Sequence, residues 1–144
     1  MNKLQKRSND PRIKAQLEAL NLEYEISNHG AYELNFEFEE GRCQKIWIES
    51  DTETLGTFEI RNIWSCAFVS DNPLPGNVTH QLLMANRDAV FGAWSTFEDE
   101  GETFLVFEAK LPTNIDVNAL KTVVVEVATT TDELEKLISG EDIH

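Results

Sequence analysis

The stretch that most limits what this chain can become is eight residues long. Tyr32, Leu34, Phe36 and Phe38 alternate without a break with Glu33, Asn35, Glu37 and Glu39. Successive side chains of a strand point to opposite faces, so this period of two demands one buried face and one wet face. Such a sheet needs a second layer over its apolar side, and the remaining sequence has to supply it.

The neighbouring segments supply both layers. Glu40-Gly41-Arg42 closes a hairpin onto Cys43 to Glu49, a run containing Ile46, Trp47 and Ile48. A polar connection from Ser50 to Gly56 leads to a third strand, Thr57 to about Val69, whose second half is apolar on both faces. Upstream, Asp10-Pro11 reads as an N-cap followed by proline at the first helical position. Ile13, Leu17 and Leu20 then form a helical stripe ending near Asn21, and Tyr24 and Ile26 mark a short lead-in strand before the turn Asn28-His29-Gly30.

Downstream, Pro73 to Asn77 opens a second helix whose stripe is Val78, Leu82, Ala85 and Ala89, widened by Leu83 and Met84. Val90 to Glu98 and Thr103 to Leu111 form a second hairpin around Asp99-Glu100-Gly101, with Gly92 marking a bulge or a close backbone approach. Pro112-Thr113-Asn114 starts the last helix. Its seam is Val117, Leu120, Val124, Val127, Thr131, Leu134 and Ile138, and Gly140 stops it. The fold class is α+β: a two-layer, antiparallel sheet with helices on one face, in the order α-β-β-β-α-β-β-α. Residues 1–9 read as a flexible basic tail and residues 10–140 as a single domain, the default for a chain of 144 residues.

Charge narrows the function. The net charge is −14, yet the first 14 residues hold five basic side chains against one acidic, so the rest carries −18. Such a body repels phosphate backbones and argues against nucleic acid as a partner, while suiting basic or aggregation-prone proteins. No apolar run approaches the ~20 residues of a membrane span, and the N-terminus lacks the apolar core of a signal peptide. Cys43 and Cys66 sit in apolar strand-like runs and read as small buried hydrophobes, without a disulfide framework. A cytoplasmic protein is expected.

Catalytic and metal chemistry find no foothold. G-x-S-x-G, G-x-x-x-x-G-K, G-x-G-x-x-G and H-E-x-x-H are all absent, and His29, His80 and His144 lack ligand spacing. The acidic run Glu98-Asp99-Glu100-Gly101-Glu102 fails as a calcium loop. With Gly101 at loop position 6, Thr96 and Phe107 fall where carboxylates are required. No enzyme activity, cofactor or metal is expected.

What remains is protein binding. On the last strand Leu105, Phe107, Ala109 and Leu111 fill one face, while Phe104 and Val106 stand on the other. Apolar residues on both faces of a two-layer sheet suggest a subunit or client surface, unless loops or a helix flank cover them. The candidate protein-binding side chains are Trp64, Phe68, Trp94, Phe104 and Val106. Phe104→Glu or Val106→Glu is expected to weaken association in a folded monomer.

Four stretches carry a family resemblance. They are Leu20-Asn21-Leu22-Glu23-Tyr24-Glu25-Ile26, Gly41-Arg42-Cys43-Gln44, Leu74-Pro75, and Leu111-Pro112 ahead of a helix ending Thr130-Thr131-Asp132-Glu133-Leu134-Glu135-Lys136-Leu137. In this order the chain from Leu17 onward resembles the YbjN-like proteins, whose domain resembles the type III secretion chaperone fold. The resemblance implies a small acidic homodimer that binds other proteins without ATP, secretion chaperones of this fold holding an extended client segment along apolar patches. It offers no catalytic residues. The expected function is therefore a dimeric chaperone-like adaptor or regulator, with a structural subunit of a larger assembly and a small-molecule-binding domain as alternatives.

Overall fold

The computed structural model describes residues 9–142, so all but Asn9 of the expected basic tail lies outside the described residues. The order is α1 (Pro11–Ala19), β1 (Glu25–Ile26), β2 (Tyr32–Glu37), β3 (Cys43–Leu55), β4 (Phe58–Ser70), α2 (Gly76–Asp88), β5 (Ala93–Asp99), β6 (Glu102–Pro112) and α3 (Val117–Asp142). The six strands form one antiparallel sheet in the order β1-β2-β3-β4-β6-β5. This is the expected α+β architecture, with its helices against one face.

The alternation in β2 does what it promised. Tyr32 and Leu34 are buried beside Ile46 and Ile48 of β3, Ile63 of β4 and Phe107, Ala109 and Leu111 of β6. Ile13 and Leu17 of α1, with Leu120, Val123, Val124, Val127 and Ala128 of α3, close the core from the other layer. Helix α3 crosses β3, β4 and β6. Its valines have only middling helix propensity, so burial against the sheet is what holds them helical. Asp116 caps its start, accepting from the amides of Asn118 and Ala119 at 3.0 and 3.2 Å. Gly140 does not stop it: the helix runs on to Asp142, a glycine costing only about 1 kcal/mol in a helix interior.

Two polar clasps lock the layers together. Asp10 caps α1 through the Arg12 amide (2.9 Å) and also takes the buried Arg61 guanidinium at 2.7 Å. Arg12 forks onto both oxygens of Glu59, each at 2.9 Å. Arg12, with help from the Thr52 hydroxyl, holds the Glu59 carboxyl down at about 2. At the opposite end Arg42 grips both oxygens of Asp132 (3.0 and 3.1 Å), and Gln44 reaches Asp132 and Glu135 (3.3 and 2.6 Å). The Arg42 hydrogen bonds hold the Asp132 carboxyl below its ordinary value despite burial. Two of the stretches that carried the family resemblance, Gly41–Gln44 and Thr130–Leu137, thus meet in space as the halves of this second clasp.

Several elements depart from expectation. Of the expected connection Ser50 to Gly56, all but Gly56 is strand: β3 and β4 pair as far as Leu55 and Phe58 across the two-residue turn Gly56-Thr57. No residue from Ser50 to Leu55 is buried, so the segment carries no alternating apolar signal, although Thr52 and Thr54 suit a strand. The stripe of α2 buries no residue fully. Val78, Leu82 and Ala89 are half-buried, Ala85 is exposed, and α2 packs on the edge strand β5. Val90 lies outside any strand, and Cys43 is exposed rather than buried. The close approach expected at Gly92 is present: its φ is +81°, and a Cβ there would stand 2.6 Å from the Glu108 carbonyl oxygen.

Candidate functional site

The sheet face turned away from the helices gathers the side chains that the core does not use. Register fixes its membership: Trp47 pairs with Trp64, Trp64 with Glu108, Ser95 with Val106, and Phe97 with Phe104. Four aromatic rings form a continuous row across β3, β4, β5 and β6. Trp47 stacks on Trp64 with centroids 4.5 Å apart, Phe97 meets Trp64 edge-on at 6.0 Å, and Phe97 lies flat on Phe104 at 4.9 Å. Offset and edge-on contacts at these distances each add about 0.5–1.5 kcal/mol beyond area burial, so the row is rigid without a helix over it.

Carboxylates set the rings in place. The Trp47 indole N–H donates to Glu33 Oε2 at 3.0 Å, and that of Trp64 to Glu49 Oε2 at 2.7 Å. Glu108 accepts from Asn62 Nδ2 on one oxygen and from the Ser95 hydroxyl on the other, both at 2.8 Å. Lys45 lies 3.5 Å from Glu33 and 6.0 Å from the Trp47 ring centre. Between Glu49, Glu108, Trp64 and Phe97 the surface sinks into an open hollow of about 390 Å³. A second hollow of about 300 Å³ adjoins it, sharing Glu49, Asn62 and Glu108.

Of the five expected binding residues, the structure brings three together. Trp64, Phe104 and Val106 share the uncovered face. Val106 is only 3% exposed, beneath the rings, so Val106→Glu would bury a carboxylate and disturb the fold rather than leave a folded monomer. Phe68 and Trp94 lie on the other side of the sheet. Phe68 pairs with Leu105 after a register shift, and Trp94 packs edge-on against Phe107 at 5.1 Å. The Trp94 backbone N–H and carbonyl are both taken by the Asn86 side chain, at 2.6 and 3.1 Å.

Sequence reasoning missed Trp47, Phe97 and the three carboxylates. The signal for Phe97 was available: the hairpin at Asp99-Glu100-Gly101 places it directly opposite Phe104. Among the described residues no group of histidine, cysteine and carboxylate side chains is arranged to hold a metal ion, and no helix is long and apolar enough to cross a membrane.

This architecture has a solved counterpart in the crystal structure of YbjN, a candidate transcription regulator from E. coli, with a TM-score of 0.53. The fold is YbjN-like. The likeness covers 90% of this chain and 90% of that chain at 12% identity, so it speaks for the shared YbjN-like fold and for nothing finer. No protein-family description matches the sequence, and no curated protein does.

Proposed function

We propose that this protein is a non-enzymatic protein-binding module: a dimeric, cytoplasmic, chaperone-like adaptor or regulator that holds a segment of a client protein. The observation that carries this reading is the aromatic row on a sheet face that none of the described helices covers. Phe97 stands 42% exposed there, with Trp47, Trp64 and Phe104 half-buried around it. Rigid, partly exposed aromatic residues framed by hydrogen-bonding groups are what binding hot spots are made of. The YbjN-like fold adds support at the level of architecture, its solved example being a candidate regulator.

A second apolar surface is available for the homodimer. Leu83 and Met84 on α2 are 68% and 60% exposed, and Val90 and Phe91 follow in the loop into β5. Separate surfaces for partner copy and client predict separable variants. In sedimentation velocity the wild type should run at twice the chain mass of 16.4 kDa. The double variant Leu83→Glu/Met84→Glu should run as a folded monomer, since substitutions at exposed positions shift stability by only about 0.5 kcal/mol. Phe97→Glu should remain dimeric. A wild type that stays monomeric at all concentrations removes the dimer from the proposal.

A further inference from the structure

The hollow beside the aromatic row has a chemistry of its own, and it rests on the protein-binding reading above. Glu49, Glu108, Trp64 and Phe97 line it, with Asn62 and Ser95 among their neighbours. Among the described residues neither Glu49 nor Glu108 forms an ion pair, although Lys110 lines the adjoining hollow. Glu49 spends one oxygen on the Trp64 N–H, and Glu108 accepts only from neutral donors. Asn62 turns its Nδ2 to Glu108, while its Oδ1 is shut off from solvent and takes no donor.

Uncompensated carboxylates beside π faces ask for a cation rich in N–H donors, whereas the Asn62 Oδ1, closed to solvent, lies out of a ligand's reach. A quaternary ammonium would satisfy the rings but leave the acceptors unpaired. A guanidinium is planar, stacks on aromatic rings and carries five donors. The geometry points to this hollow as the seat of an arginine side chain from an extended segment of a partner polypeptide. The aromatic row running on from the hollow seats the apolar neighbours of that arginine in the segment. The −18 carried by the chain beyond residue 14 draws basic segments toward it.

The test uses three probes against the full chain, read by tryptophan fluorescence and peptide anisotropy. They are an acetylated pentapeptide with arginine at its centre between leucines and phenylalanines, the same peptide with citrulline in place of arginine, and free arginine amide. The arginine peptide should bind about tenfold more tightly than the citrulline peptide, and Glu49→Gln or Glu108→Gln should erase most of that difference. Glutamine keeps an acceptor for Trp64, Asn62 and Ser95, and unchanged circular dichroism confirms the fold. Equal binding of the two peptides, with loss on Phe97→Glu, overturns the arginine seat and leaves the protein-binding reading standing. Arginine amide binding as tightly as the peptide overturns the polypeptide as occupant. Peptide binding that appears only after removal of residues 1–8 assigns the seat to the chain's own Lys3, Lys6 or Arg7, and likewise overturns it. No binding by any probe overturns the seat. If position 97 also makes no crosslinks in cell extract, the protein-binding reading goes with it.

Discussion

Asp10→Ala is expected to lower stability by about 4 kcal/mol, measured by urea unfolding at neutral pH, because it leaves a buried cation without its partner. Arg61 is 4% exposed, and among the described residues its other hydrogen bonds go to backbone carbonyls, Glu49 at 2.7 Å and Ser50 at 3.4 Å. The same substitution removes the α1 cap, a further cost of about 1 kcal/mol that belongs to the helix rather than to the pair. Asp10→Ala/Arg61→Met separates the two: it should recover most of the loss, since removing both charges of a buried pair is often close to neutral.

The pH dependence follows from the same contacts. Burial alone would raise the Asp10 carboxyl, but hydrogen bonds from Arg12 and Arg61 outweigh it and hold the group well below the ordinary carboxylate range. A carboxyl whose folded value is depressed stabilises the fold fully above its unfolded value of about 4, and that contribution fades as pH falls toward the folded value. The gap between wild type and Asp10→Ala should therefore narrow below about pH 4. A loss under 1 kcal/mol at neutral pH would mean that Arg61 is compensated some other way.

The second large effect is steric. Gly92→Ala places a methyl group 2.6 Å from the Glu108 carbonyl oxygen and 2.9 Å from the Phe107 ring, at a φ of +81°. The left-handed backbone costs an L-residue about 1–2 kcal/mol, and forcing β5 off β6 adds about 1–3. A drop in melting temperature of about 10 °C is expected, at roughly 3 °C per kcal/mol for a chain of this size. Gly101→Ala is the control: its φ is +83° with nothing within 4 Å of the new Cβ. Gly101→Ala should show the backbone strain alone. If the two variants melt together, the close approach at Gly92 carries no energy. Because Gly92 immediately precedes β5, its substitution should also misplace Phe97, five residues further along the chain.

Some of this was readable in the residues and some was not, for identifiable reasons. The alternation from Tyr32 to Glu39 marked β2, and Asp10-Pro11 marked the start of α1, because each reports a local geometric demand. Periodicity also sorted β6 correctly into two faces. It could not say which face the helices would take, so Trp94 and Phe68 were grouped with Trp64 although the sheet separates them. Nothing in the apolar run around Ile46 and Ile48 separates Trp47 from them, yet it packs against Trp64 on the uncovered side. The roles of Glu33, Glu49 and Glu108 left no local signal because their partners, two indoles, an amide and a hydroxyl, lie on other strands or across the register. The Arg42–Asp132 clasp spans 90 positions and was invisible for the same reason.

The proposed function rests on the uncovered face as the place where partners bind. The direct measurement puts a photocrosslinking phenylalanine at position 97 on that face, and in a second protein at position 125, equally exposed on α3. Each is irradiated in native cell extract. Adducts of defined mass from position 97, absent from position 125, competed away by unmodified protein but not by Phe104→Glu, are the predicted result. Equal labelling from both positions, or none from position 97, would contradict it.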